Sequence, residues 1–195
     1  MNPYVSFALA MCAIVFIALF ATGYMAVYFN RKAKGDLEAA LTPLAEELNG
    51  RVELEEATAE GTHRGHITSG RVTTIGRGPG RVLETQLIDG AGGAGWKWTA
   101  SWPKEGQSAD AIEPSFETAE TALEPKITPA ARALTLENLK GPGWLQFSYD
   151  PAAGAIKLTT PMRTRRDIPT RPVFHDWLEA LATLADVNRA AQTPE

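Results

Sequence analysis

The residues best suited to chemistry are few. His63 and His66 form an HxxH pair, and His175 is the only other histidine. Their imidazoles could hold zinc if the two segments carrying them converged. On a regular strand, however, positions three apart face opposite ways, so a shared ion would need a turn or bulge between His63 and His66. Strand histidines and one histidine near the start of a helix explain the pattern better, and no metal is expected. Nucleophilic catalysis has no carrier: Cys12 lies in an apolar run, no GxSxG elbow occurs, and no acidic pattern neighbours a histidine. Glu46 and Glu47, like Glu55 and Glu56, read as solvated helix and strand faces. The expectation is a non-enzymatic chain with no catalytic residue and no cofactor.

Two glycine-rich stretches imitate phosphate loops. RGPGR, Arg77 to Arg81, lacks the Lys and Ser or Thr of a P-loop. GAGGAG has Gly90, Gly92 and Gly95 at dinucleotide-fingerprint offsets, yet the Trp-rich segment after it reads as a strand. Without a helix N-terminus behind them, neither loop has a mechanism for binding phosphate, and both read as turns.

The remaining polar feature is MRTRRDIPTR, where Arg163, Arg165, Arg166 and Arg171 gather in an acidic setting. Such a group could meet anionic lipid headgroups or an acidic partner surface, or it could be a solvated loop paired with nearby Asp and Glu. Three of the 19 Lys and Arg (Arg31, Lys32 and Lys34) precede Gly35, leaving 16 against 23 Asp and Glu in residues 35–195. A net charge of −7 there disfavours nucleic-acid binding.

These residues must be positioned by two parts of the chain. From Val5 to Phe29 no charged residue occurs, which at 1.5 Å per residue crosses a ~30 Å hydrocarbon core. The N-terminal residues carry no Lys or Arg and no cleavage site stands clear of the run, so a retained transmembrane helix is expected rather than a signal peptide. NRKAK directly after the span puts the following domain in the cytoplasm and the N-terminus outside, in an inner membrane. Arg31, Lys32 and Lys34 would contact lipid there. Phe16, Phe20, Tyr24 and Tyr28 recur every four residues as an aromatic ridge. Beside it Ala18, Thr22 and Ala26 form a small-residue row that allows another helix to approach closely; a plain lipid-facing anchor is the alternative. The expected organisation is an anchor over 1–34 and one soluble domain over 35–195. The lone Cys12 excludes an intrachain disulfide.

In the domain, Leu37, Ala40, Leu41, Leu44, Ala45 and Leu48 keep helical period, with Pro43 predicting a start or kink and Asn49-Gly50 an end. RVELEE, HRGHIT, RVTTIG, RVLETQLI and WKWTASW predict a glycine-spaced antiparallel meander. In the last segment Trp96, Trp98, Ala100 and Trp102 share one face, expected to pack on a helix. Residues 103–114 read as loop, and SFETAETALEP stays open between strand and helix. Thr128-Pro129 predicts a helix start, running to about Leu139 before Gly141-Pro142. GWLQFSYD and AIKLTT flank PAAG as a hairpin, and Phe174, Trp177, Leu178, Leu181, Leu184 and Ala185 mark a closing amphipathic helix from about Pro172, ahead of a frayed AAQTPE tail. The expected fold class is α+β: one N-terminal transmembrane helix, then an antiparallel sheet with helices on one face.

The order of an anchor, LAEELNG, HRGHITSGRVTT, SFE, TPAARALTLENL, a hairpin and a final helix resembles a group of uncharacterised bacterial membrane-anchored proteins, a likeness that implies no activity. The plan is also similar to that of the H subunit of bacterial photosynthetic reaction centres, in architecture and without a shared motif. That resemblance implies a cap on a membrane complex with no catalytic site of its own. The expected function is an accessory subunit docking on a larger membrane complex, photosynthetic or respiratory, with lipids and other membrane subunits as partners. A free-standing tethered domain binding lipid, ligand or protein is the alternative, and a hydrolase with dispersed residues ranks last.

Overall fold

The computed structural model describes residues 3–74, 80–90, 92–101, 114–138 and 143–192. Expectations that rest on Trp102, on most of RGPGR, on Ala91, on the loop after Ser101, on the end signal at Gly141-Pro142 and on the last three residues lie outside them. The chain divides into two compact units at Ala39/Ala40, five residues past the boundary read from the sequence.

Helix α1 runs Pro3–Glu47 without the break expected at Thr42-Pro43. Pro43 has no N–H for the Ala39 carbonyl, a defect of about 3 kcal/mol inside a helix. Leu41 and Leu44 are fully buried around it, and burying two leucines contributes roughly 3–6 kcal/mol, enough to hold the backbone helical past the proline. The end is as the sequence predicts. Asn49 takes positive φ, its N–H reaches Glu46 and the Gly50 N–H reaches the Ala45 carbonyl at 2.9 Å, a Schellman closure with asparagine in the left-handed position. Among the described residues, α1 is the one helix long and apolar enough to cross a membrane, and the span is fully exposed.

Among the described residues, eight antiparallel strands follow: β1 (Arg51–Glu53), β2 (Thr58–His63), β3 (His66–Thr74), β4 (Arg81–Ile88), β5 (Trp96–Ser101), β6 (Ser115–Thr118), β7 (Trp144–Asp150) and β8 (Ala155–Met162). The order is β1-β2-β3-β4-β8-β7-β5-β6. The sheet is therefore not the simple meander expected, because the β7–β8 hairpin inserts between β4 and β5. These two strands carry buried Leu145, Phe147, Tyr149, Ile156 and Leu158, which belong at the centre of a sheet.

Two readings of the early strands change. HRGHIT is not one strand: Arg64 and Gly65 both have positive φ and make a two-residue turn between the last residue of β2, His63, and the first of β3, His66, which pair across it. β3 then runs on through ITSGRVTT as one strand. β2 escaped the sequence reading because TAEGTH lacks large apolar residues. Its Gly61 is required, since a Cβ there would overlap the Leu48 carbonyl.

SFETAETALEP resolves into β6, a 3₁₀ turn at Thr121–Leu123 and the start of α2 (Glu124–Asn138). α2 thus begins four residues before the Thr128-Pro129 signal, and Pro129 lies inside it. α3 is Arg171–Gln192 and buries all six predicted stripe residues.

Alternation across the register separates two faces of the sheet. Gly70, Thr85, Leu158, Phe147, Trp98 and Phe116 align across the strands. Phe174 of α3 and Leu44 of α1 come within about 3.5 Å of the position a Cβ would take at Gly70, so this row lies under helices. The tryptophan face does meet a helix: Trp96 Nε1–H donates to Asn188 Oδ1 of α3 at 2.7 Å, with both residues buried.

Candidate docking surfaces and the ionic clasp

The N-terminal unit presents the predicted ridge and row as surface. Phe16, Phe20, Tyr24 and Tyr28 are exposed, and so are Ala18, Thr22 and Ala26. The Thr22 hydroxyl donates to the Ala18 carbonyl at 2.7 Å. This back-bond satisfies the one polar group in the row, so the row remains a smooth apolar strip. Arg31, Lys32 and Lys34 follow, also exposed.

In the second unit, the elements bring together residues the sequence did not connect. The Glu47 carboxylate, 14% exposed at the end of α1, accepts from Arg171 Nε at 2.6 Å and His175 Nδ1 at 2.7 Å. One turn along α3, Glu179 accepts from buried His63 Nε2 at 3.0 Å and pairs with Arg64. The His63 and His175 rings meet edge to face at 5.8 Å. Three elements, the end of α1, the β2–β3 turn and the start of α3, are thus joined by one clasp of two carboxylates with arginine and histidine partners. Bonds from Arg171 and then His175 hold the Glu47 carboxyl below its ordinary range, against a smaller opposing effect of burial.

The clasp corrects three expectations. Glu47 is not part of a solvated face. Arg171 leaves the arginine group to pair with Glu47, and lies within 4.0 Å of Glu46 as well. The histidines do have acidic partners, and one signal was present in the sequence: His175 and Glu179 stand four apart on a helix, where side chains are neighbours. The turn needed for HxxH to converge also exists. His66, however, bonds the Ile88 carbonyl at 3.2 Å instead, and no group of three or more His, Cys, Asp or Glu among the described residues is arranged to hold a metal ion.

Arg163, Arg165 and Arg166 stay exposed on a short 3₁₀ turn, Arg165–Asp167, and the residues leading into it. Its backbone is fixed from within. Asp167 Oδ2 accepts from the Arg163 N–H at 2.7 Å and the Thr164 N–H at 2.6 Å, while the Thr164 hydroxyl oxygen accepts from the Arg166 N–H at 3.2 Å. This capping box lowers the Asp167 carboxyl pKa, chiefly through the Thr164 bond. Buried Ile168 and Pro169 seat the turn on the domain.

The sheet face away from the helices carries an open recess of about 570 Å³ lined by Glu84, Lys97, Glu117, Gln146, Lys157 and Thr159, among others. Four of its charges are paired: Lys97 bonds Glu117 at 3.2 Å across strands, and Lys157 bonds Asp150 at 3.3 Å. At the far end of α3, Gln192 holds the glycine loop through both the N–H and the carbonyl of Ala94, and Arg189 pairs with the buried side chain of Asp89. GAGGAG leads directly into β5, as its reading as a turn requires.

Compared with known proteins, the chain matches no family model, no curated protein and no solved structure.

Proposed function

We propose that this chain is a membrane-anchored accessory subunit that docks through its N-terminal helix on a larger membrane protein complex, with the second unit held on the cytoplasmic side. The observation that carries the proposal is the pairing of the ridge Phe16–Phe20–Tyr24–Tyr28 with the adjoining row Ala18–Thr22–Ala26, whose one hydroxyl is already satisfied inside the helix. An anchor that only meets lipid needs no such division, whereas a helix–helix interface gains from close backbone approach beside large rings. A binding role also agrees with the chemistry of the second unit. The ionisable groups of the clasp, and the Lys97–Glu117 and Lys157–Asp150 pairs of the recess, are engaged with one another, which suits them to holding the fold. Orientation rests on Arg31, Lys32 and Lys34 behind the span.

The test is recovery of the C-terminally tagged chain from native membranes in mild detergent, followed by sizing and mass spectrometry. A membrane protein in stoichiometric amount is the expected result. The exposed arginine turn favours a second reading, a free-standing tethered binding domain, and a chain that elutes alone would favour it over docking.

A further inference from the structure

We propose that the turn bearing Arg163, Arg165 and Arg166 is an interaction surface for anionic phospholipid headgroups. Four observations point to it. The three side chains are exposed although the rest of residues 35–195 is net acidic. The backbone under them is fixed by Asp167 and Thr164, so little order has to be gained on contact. Arg171, the fourth arginine of the same sequence cluster, is drawn away by Glu47 and belongs to the clasp rather than to the turn. Val173, at the start of α3, is one of the large apolar side chains exposed outside the anchor.

A lipid surface fits better than an acidic protein because of reach. Residues 30–40, between the span and the first buried leucine, extend to roughly 40 Å at most. Headgroups are therefore present at high effective concentration whatever else the protein meets. Guanidinium groups suit phosphate through their forked donors. Near an anionic surface each contributes about fivefold in association, so three together contribute on the order of a hundredfold. The acidic remainder of the unit is repelled by the same surface, so the turn is the part that the surface attracts. This contact does not require the anchor to dock on another helix.

The full chain, with Cys12→Ala and Thr170→Cys, is labelled with a fluorophore and placed in nanodiscs containing a headgroup-borne quencher. Discs of phosphatidylcholine alone are compared with discs holding 30% phosphatidylglycerol. Quenching is expected to rise at least about threefold in the anionic discs, to fall back in 0.5 M salt, and to vanish in Arg163→Gln/Arg165→Gln/Arg166→Gln. The triple Lys variant, which keeps the charge, should retain most of it. Equal quenching in both discs, or a lipid-dependent rise that survives the triple Gln change, would overturn the proposal. So would capture of an acidic soluble protein by the turn with no dependence on lipid charge.

Discussion

Arginines only a few residues apart in sequence, Arg171 on one side and Arg163 and Arg166 on the other, have opposite fates. Arg171, with Arg64 across the β2–β3 turn, meets carboxylates on neighbouring elements and becomes part of the fold. Arg163 and Arg166 stand exposed on a turn whose own acid, Asp167, bonds backbone N–H groups. The same residue type is thus structural or outward-facing according to whether tertiary packing delivers a carboxylate to it. Composition alone cannot make that distinction.

The contrast breaks most severely under the clasp. Gly61→Ala would drive a Cβ into the Leu48 carbonyl and to 2.7 Å from the Leu48 Cβ, separating β2 from the end of α1. A loss of about 2–3 kcal/mol is expected on urea unfolding. Glu47→Ala removes the acceptor of both Arg171 and His175 and should lower stability by about 1–2 kcal/mol, a reduced figure because both donors are half exposed.

Acid titration sharpens the contrast. The Glu47 carboxyl lies below its ordinary value of 4.5, first through Arg171 and then through His175. A group whose pKa is lowered by folding contributes stability that is complete above the unfolded value and lost as pH falls through the folded one. The native chain should therefore lose stability below about pH 4.5 more steeply than Glu47→Ala, as followed by thermal unfolding across that range. Asp167 and Asp150 are lowered in the same direction and add equally to the slopes of both chains, so the difference between them reports Glu47. The smallest effect belongs to the turn: Asp167→Ala removes its internal cap, with an expected cost of about 1 kcal/mol or less, and should release amide exchange at Arg163, Thr164 and Arg166 while leaving the clasp amides unchanged.

Much of this was legible in the sequence where a local period decides the outcome. The apolar span, the stripe of α3, the β7–β8 hairpin and the Trp96–Trp98–Ala100 face all follow from spacing. What was not legible depends on partners far along the chain. β2 is a strand because Gly61 permits contact with Leu48, not because TAEGTH favours extension. α1 continues through Pro43 because buried leucines outweigh one missing hydrogen bond. The β7–β8 hairpin entered the sheet between β4 and β5, a non-local choice that no window of residues displays. At the clasp, Glu47 and His175 are separated by 128 positions, and only the His175–Glu179 spacing hinted at it.

The docking proposal is tested most directly by recovering the tagged chain from native membranes beside the variant Ala18→Ile/Thr22→Ile/Ala26→Ile, which fills the small-residue row but keeps the span apolar. The account predicts a stoichiometric membrane partner with the native chain and its loss from the variant, which still inserts. A native chain that elutes alone, or a variant that keeps the partner undiminished, would contradict it.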